Sequence, residues 1–242
     1  MVSARSEPQQ NRLLASLPLE ERERIFPQLV PVPMPLGKVL YESGGTMEWV
    51  YFPTDCIVSL VYTFADGSSA EIAVVGNEGF VGVSILMGGD STPSRALVQS
   101  AGQAFRISGQ RLKQEFDQRG QLQLLTLRYM QALITQMAQT AVCNRHHSVD
   151  QQLCRWLLLS FDRLSGNDLD MTQELIANML GVRREGVTAA AGKLQELGVI
   201  HYRRGRITIV DRTKLESLCC ECYAVVKKES DRLVPPPPSM HA

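Results

Sequence analysis

The chain has 242 residues, 44% of them hydrophobic, and its 25 Lys and Arg balance 25 Asp and Glu to zero net charge. That length allows one large or two modest domains with real cores. It excludes a whole-molecule field that would draw in nucleic acid, so any polyanion site must come from local clustering of charge. Six cysteines without regular spacing point to free thiols rather than a disulfide framework. No apolar run has the length of a membrane span, and the opening residues carry no apolar core after their charges, so no signal peptide is expected and the expected location is the cytoplasm.

Between residues 11 and 29, Leu13, Leu14, Leu17, Leu19, Ile25 and Phe26 among charges predict one or two short amphipathic helices broken near Pro18. Pro31, Pro33 and Pro35 then exclude helix and suit an extended edge segment. From Lys38 to Ile107 short apolar alternations are punctuated by turns. Cys56, Val58, Leu60, Tyr62 and Phe64 alternate, Asp66-Gly67 tolerates positive φ, and Ala70, Ile72 and Val74 alternate again, which predicts a hairpin. More glycines follow, in a stretch that reads as the central loop of a small antiparallel roll.

Nothing between Gln121 and Arg145 is Gly or Pro. Leu127, Met130, Ile134, Met137 and Ala141 fall at alternating spacings of three and four, the seam of a helix that packs on a copy of itself, while Leu122, Leu125, Leu133 and Ala138 could cover the roll. Another helix begins near His147, with Ser148 or Asp150 as its cap.

Asp170 or Thr172 can cap a helix carrying Leu175, Ile176, Met179 and Leu180, and Gly181 can turn the chain. A second helix from about Arg184 turns Val187, Ala190, Ala191 and Leu194 inward, and Ala189 to Ala191 leave its middle with little bulk. Two short helices joined by a tight turn make a helix-turn-helix. The two apolar segments after Gly198 flank Arg203-Arg204-Gly205-Arg206, a hairpin with a cationic tip, or wing. From Val182 to Arg206 there are six Lys or Arg against two acids on a neutral chain. Arg183 and Arg184 can reach phosphates or base edges, and Glu185 can accept from cytosine. Thr172, Thr188, Arg203, Arg204 and Arg206 complete the candidate DNA contacts, with Lys193 read as a solvated charge.

At these residues the chain resembles the Crp/Fnr family of bacterial transcription regulators, from about Leu36 to Val210. The resemblance implies an α+β protein: an antiparallel β-roll of cupin-like jelly-roll form, a long dimerisation helix and a winged helix-turn-helix. It divides the chain into helices and roll at 1–118, dimerisation helix at 119–146, DNA-binding domain at 147–230 and a disordered proline-rich tail at 231–242. The family's recognition helix carries Arg-Glu, an apolar residue and a second Arg; Arg184-Glu185 and Val187 fit, while Ala189 stands at the position of the second Arg. In relatives that bind cyclic nucleotides a Gly-Glu pair and an Arg followed by Ser or Thr hold phosphate and ribose. Here the residues are Gly82-Val83 and Arg95-Ala96. Gly82 and Arg95 remain candidate ligand contacts, but valine cannot accept a ribose hydroxyl, which disfavours cyclic AMP and leaves an unidentified small molecule or a ligand-free scaffold.

The implied protein is a non-enzymatic homodimer on double-stranded DNA, with RNA polymerase a further candidate partner. A dimeric adaptor that binds protein through its roll is the alternative. No cofactor is expected: no Cys precedes Cys56 for an iron-sulfur cluster, and no His precedes His146 for haem. Cys219, Cys220 and Cys222 lack the spacer of a zinc knuckle and are read as small apolar residues of a C-terminal helix, so no metal site is assigned. Cys143 with His146 or His147 has the atoms of a nucleophile and base, but reads as a polar helix end; no catalytic residue is assigned.

Overall fold

A computed structural model describes residues 7–164 and 166–235. Helices α1 (Arg12–Ala15) and α2 (Leu19–Ile25) break at Pro18, which stands at the cap of α2. They are anchored by Asn11, a fully buried amide that donates to the carbonyls of Pro53 and Gly79 and accepts from Leu14 N, leaving no polar atom stranded.

The roll consists of two antiparallel sheets. Strands β1 (Val30–Met34), β2 (Val39–Tyr41), β3 (Trp49–Pro53), β4 (Ile57–Thr63), β5 (Ser69–Val75), β6 (Arg95–Ser100) and β7 (Gly102–Ser108) arrange as β1-β7-β3 against β2-β6-β4-β5. Strand β1 is an edge, as its prolines require, because each lacks the donor a central strand needs. Within the expected hairpin, β4 and β5 pair from Val58–Val75 to Thr63–Ser69, and Phe64 lies exposed in the turn instead of extending the strand. Short helix α3 (Val83–Met87) occupies the glycine-rich loop.

Helix α4 (Gly109–Phe116) leads into α5 (Gln121–His146). Leu122, Leu125 and Leu133 are buried on the roll. Met130 is buried there too, at 6% exposure, and Met137 packs partly against the same core, so neither faces outward as the seam expectation required. The outward apolar stripe is Leu124, Leu127, Ile134, Ala138 and Ala141, with Gln131 completing the three-four spacing. Ala138 thus changes sides as well. The two seams share Leu127, Ile134 and Ala141 and differ in taking Met130 and Met137 or Gln131 and Ala138 between them, and packing on the roll selects the second set.

The C-terminal half comprises α6 (Val149–Phe161), β8 (Asp168–Asp170), α7 (Gln173–Leu180), α8 (Arg184–Glu196), β9 (Ile200–Arg203), β10 (Arg206–Ile209), α9 (Arg212–Leu218) and α10 (Glu221–Leu233). Ser148 caps α6 through a capping box with Gln151. Asp231–Leu233 finish α10, with Leu233 and Val234 buried against the roll, so the expected tail starts later than residue 231; residues 236–242 lie outside those described. The two halves share strand β4, whose Val58 and Leu60 enter the roll core while Ile57 and Val61 enter the core of the C-terminal half. Polar contacts pin the same junction: Trp156 Nε1 donates to Glu71 at 3.0 Å, Arg163 Nε to Glu78 at 2.7 Å, and Gln99 Nε2 to Ser160 at 3.3 Å.

Candidate nucleic-acid interface

Thr172 is the cap of α7, accepting from Leu175 N, whereas Asp170 belongs to β8; this settles the two capping alternatives. Gly181 ends α7 with φ of 65°, and Arg183 stands at the cap of α8. Val187, Ala190, Ala191 and Leu194 bury one face of α8 in the core of the C-terminal half. The opposite face exposes Arg184, Glu185, Thr188, Ala189, Gly192 and Lys193. Of the three central alanines only Ala189 is outward; Gly192 supplies the second small residue of that face. A helix so bare in its middle can lie deep in a groove about 12 Å wide.

The wing is three-stranded, in the order β8-β10-β9, and the sequence reading missed β8. Strands β9 and β10 close through the two residues Arg204 and Gly205, with φ of 52° and 79°. Positive φ at both central positions marks the hairpin turn that matches strand twist. Glycine takes it freely, but Arg204 takes it at a cost of roughly 1 kcal/mol or more, and thereby holds a cation at the very tip.

Helix and wing meet around an opening of about 290 Å³ lined by Thr172, Gln173, Arg184, Tyr202, Arg204 and Gly205. Tyr202 ties it together: its hydroxyl donates to Met171 O at 2.8 Å, burial raises its pKa, and the charge of Arg184 pulls it back. Thr188 Oγ1 lies 2.7 Å from Gln173 Oε1 and 3.0 Å from the Arg184 carbonyl, which ties the start of α7 to the first turn of α8. Gln173 and Tyr202 escaped the sequence reading; the one available signal was Gln173's place directly after a capping threonine.

The cations differ in freedom. Among the described residues Arg183, Arg184, Arg203 and Arg204 are exposed and form no ion pair, whereas Arg206 pairs with Asp170 at 2.8 Å and Lys193 with Asp150 at 2.6 Å. Hydrogen bonding from Arg206 also holds the Asp170 carboxyl below its ordinary pKa.

In the roll, Gly82 stands at the cap of α3 with φ of 109°. Arg95 begins β6, its Nε 3.5 Å from the Glu42 carboxylate. The nearby interior is filled by aromatic rings: Phe80 stacks obliquely on Tyr129 at 5.0 Å and on Phe52 at 5.8 Å. The chain passes so close at Gly79 that a Cβ there would lie 1.9 Å from the Tyr129 ring.

Comparison with known proteins places these halves. Residues 31–119 match the cyclic nucleotide-binding domain family and residues 151–218 the Crp-like helix-turn-helix domain family. Similar folds include FixK2 from Bradyrhizobium japonicum, 16% identical with a TM-score of 0.66 over 79% of this chain and 98% of that one. They also include a transcriptional regulator of the CRP family from Thermus thermophilus, 17% identical with a TM-score of 0.64 over 77% and 95%. A third is the c-di-GMP responsive global regulator CLP of Xanthomonas campestris, 18% identical with a TM-score of 0.59 over 79% and 99%. No curated protein sequence matches the chain significantly.

Proposed function

Since the chain belongs to the Crp/Fnr family of DNA-binding transcription regulators, we propose that it acts as a homodimer that reads an inverted repeat through α8 and clamps the flanking backbone with its wing. The family is one of regulators, not enzymes, and no helix among the described residues is long and apolar enough to cross a membrane.

The observation that carries the reading is the convergence of Arg184, at the first turn of α8, and Arg204, at the wing tip, on one opening free of acidic side chains. Arg184 and Glu185 are placed for base edges, Arg203 and Arg204 for phosphates beside the groove. The second copy is the occupant best suited to the stripe on α5, because Leu127 and Ile134 are about half exposed, at 49% and 59%, on a 26-residue helix with seam spacing.

For the roll, the side chains favour a sensor other than a cyclic-AMP site, or a scaffold. Val83 opens α3 without an acceptor, Arg95 already faces Glu42, and Tyr129 fills space beside Phe80. Selection of bound duplexes from a random DNA pool, with and without cell extract, tests the whole reading. It should yield an inverted repeat with half-sites about one helical turn apart or a multiple of it. Failure to enrich any sequence in either condition would defeat it.

A further inference from the structure

The end of α5 and the start of α10 bring together two stretches far apart in sequence. Cys143, His147, Cys220 and Cys222 offer three sulfurs and a ring nitrogen, all within 4.8 Å of one another. Cys143 and His147 are one helical turn apart at the end of α5, Cys220 is the cap of α10 and Cys222 lies in its first turn. The Cys219–Cys222 run therefore straddles a helix junction, and its two inward sulfurs meet the helix end that carries His147.

We propose that these four side chains bind one Zn(II) in a tetrahedral Cys3His site that fixes the DNA-binding half against the long helix. Zinc bonds of about 2.3 Å to sulfur and 2.0 Å to nitrogen set tetrahedral edges of about 3.8 Å between sulfurs and about 3.5 Å between sulfur and nitrogen. Cys143 Sγ and Cys220 Sγ are 3.7 Å apart, and Cys222 Sγ lies 3.4 Å from His147 Nδ1. A Cys143–Cys220 disulfide would need those sulfurs at about 2.0 Å and would leave Cys222 and His147 without a role.

The surroundings suit a thiolate-rich metal. The Glu221 carboxylate lies 3.4 Å from His147 Nε2, the side away from the cluster, where it would orient the ring with Nδ1 as ligand. Gln139 Nε2 donates to Cys222 Sγ at 3.1 Å. Three thiolates and Zn(II) carry one net negative charge. The buried Arg155 lies near enough to offset it, donating to Thr140 Oγ1 at 3.1 Å and acting electrostatically on Cys143 as well as on Glu71.

His147 closes α5 and Ser148 opens α6, so the site spans the joint between dimerisation helix and DNA-binding half. Binding there would set the angle at which α8 is presented. That consequence rests on the function proposed above; the metal content does not.

The full chain, purified from zinc-supplemented culture, should contain about one zinc per protomer by mass spectrometry. The chelated protein titrated with Co(II) should develop thiolate charge-transfer and tetrahedral d–d bands. Cys143→Ser, Cys220→Ser and Cys222→Ser should each lose most of the metal, and Cys219→Ser should keep it. His147→Cys should retain binding while shifting the Co(II) bands to those of four thiolates, which guards against variants that merely misfold. Chelation should weaken DNA binding about tenfold, within the usual range for coupled sites. A folded chain that takes up neither zinc nor Co(II), iron with acid-labile sulfide in place of zinc, or equal loss in Cys219→Ser would overturn the site. Zinc binding with DNA affinity indifferent to chelation would overturn its coupling, and zinc binding with no DNA affinity at all would instead overturn the proposed function.

Discussion

Arg206 reaches across the wing to Asp170, its guanidinium nitrogen 2.8 Å from the carboxylate, while Arg203 and Arg204 carry no such partner among the described residues. The three wing arginines are therefore unequal toward a phosphate. Part of Arg206's charge is already answered, and a nearby carboxylate repels the backbone. Asp170→Asn should tighten binding to all duplexes and steepen the salt dependence by roughly one counterion. Arg206→Ala should cost less affinity than Arg204→Ala. Fluorescence anisotropy across a salt series measures both; equal losses for the two arginines would show that the ion pair opens on DNA.

The proposed dimer depends on which face of α5 is free. Ile134→Glu places a charge in the middle of the exposed stripe and should give a monomer in sedimentation velocity. Met130→Ala, on the roll side, should leave the dimer intact and lower stability by about 2 to 5 kcal/mol through the cavity it opens. A dimer unaffected by Ile134→Glu would place the interface elsewhere.

That helix also shows how much the residues disclosed before folding. Its existence was legible because no Gly or Pro interrupts it, but its rotation was not: Leu, Met and Ile occupy both faces, and Gln131 interrupts the seam that is free. The helix-turn-helix was legible down to single buried residues, Val187, Ala190, Ala191 and Leu194, since half-exposed helices carry strong periodicity. Strand β8 was hidden because Asp168, Leu169 and Asp170 alternate over too short a run to register as a strand. The Cys143–His147 pair and the Cys220–Cys222 pair were each visible and each weak. Their meeting is a tertiary fact that spacing along the chain cannot express.

Between the halves, Ser59 Oγ stands 2.5 Å from Glu71 Oε2 and 2.6 Å from Gln99 Oε1. One hydroxyl proton cannot serve both contacts, so the Glu71 carboxylate competes with the Gln99 carbonyl for it. Burial pushes that carboxyl from about 4.5 to about 7, with the bond from Ser59, the charge of Arg155 and the bond from Trp156 opposing. The folded chain thus holds a proton that the unfolded chain releases. This stability is fully present below pH 4.5 and falls as pH rises through 7, by about 3 kcal/mol in all. Glu71→Gln should remove that loss, so urea unfolding at pH 5 and pH 8 should show the variant gaining on the native chain at the higher pH. An identical pH dependence in both would mean that Glu71 is ionised throughout.

Cyclic AMP should bind poorly, since Val83 offers its ribose no acceptor. Titration calorimetry at micromolar protein should show only heats of dilution, in the native chain and in Arg95→Ala alike. Saturable heat abolished by Arg95→Ala would restore the nucleotide site.

The central claim is that α8 reads bases while the wing holds phosphates, and base preferences compared between the native chain, Arg184→Ala and Arg204→Ala test it most directly. Binding of each to a library of single-base variants of the selected repeat would be measured at one salt concentration. Arg184→Ala should lose about 1 to 3 kcal/mol on the best site and flatten discrimination at one base pair per half-site. Arg204→Ala should weaken every sequence alike and keep the preference profile. Unchanged preferences in Arg184→Ala together with altered ones in Arg204→Ala would contradict the account, because the wing would then be the reading element.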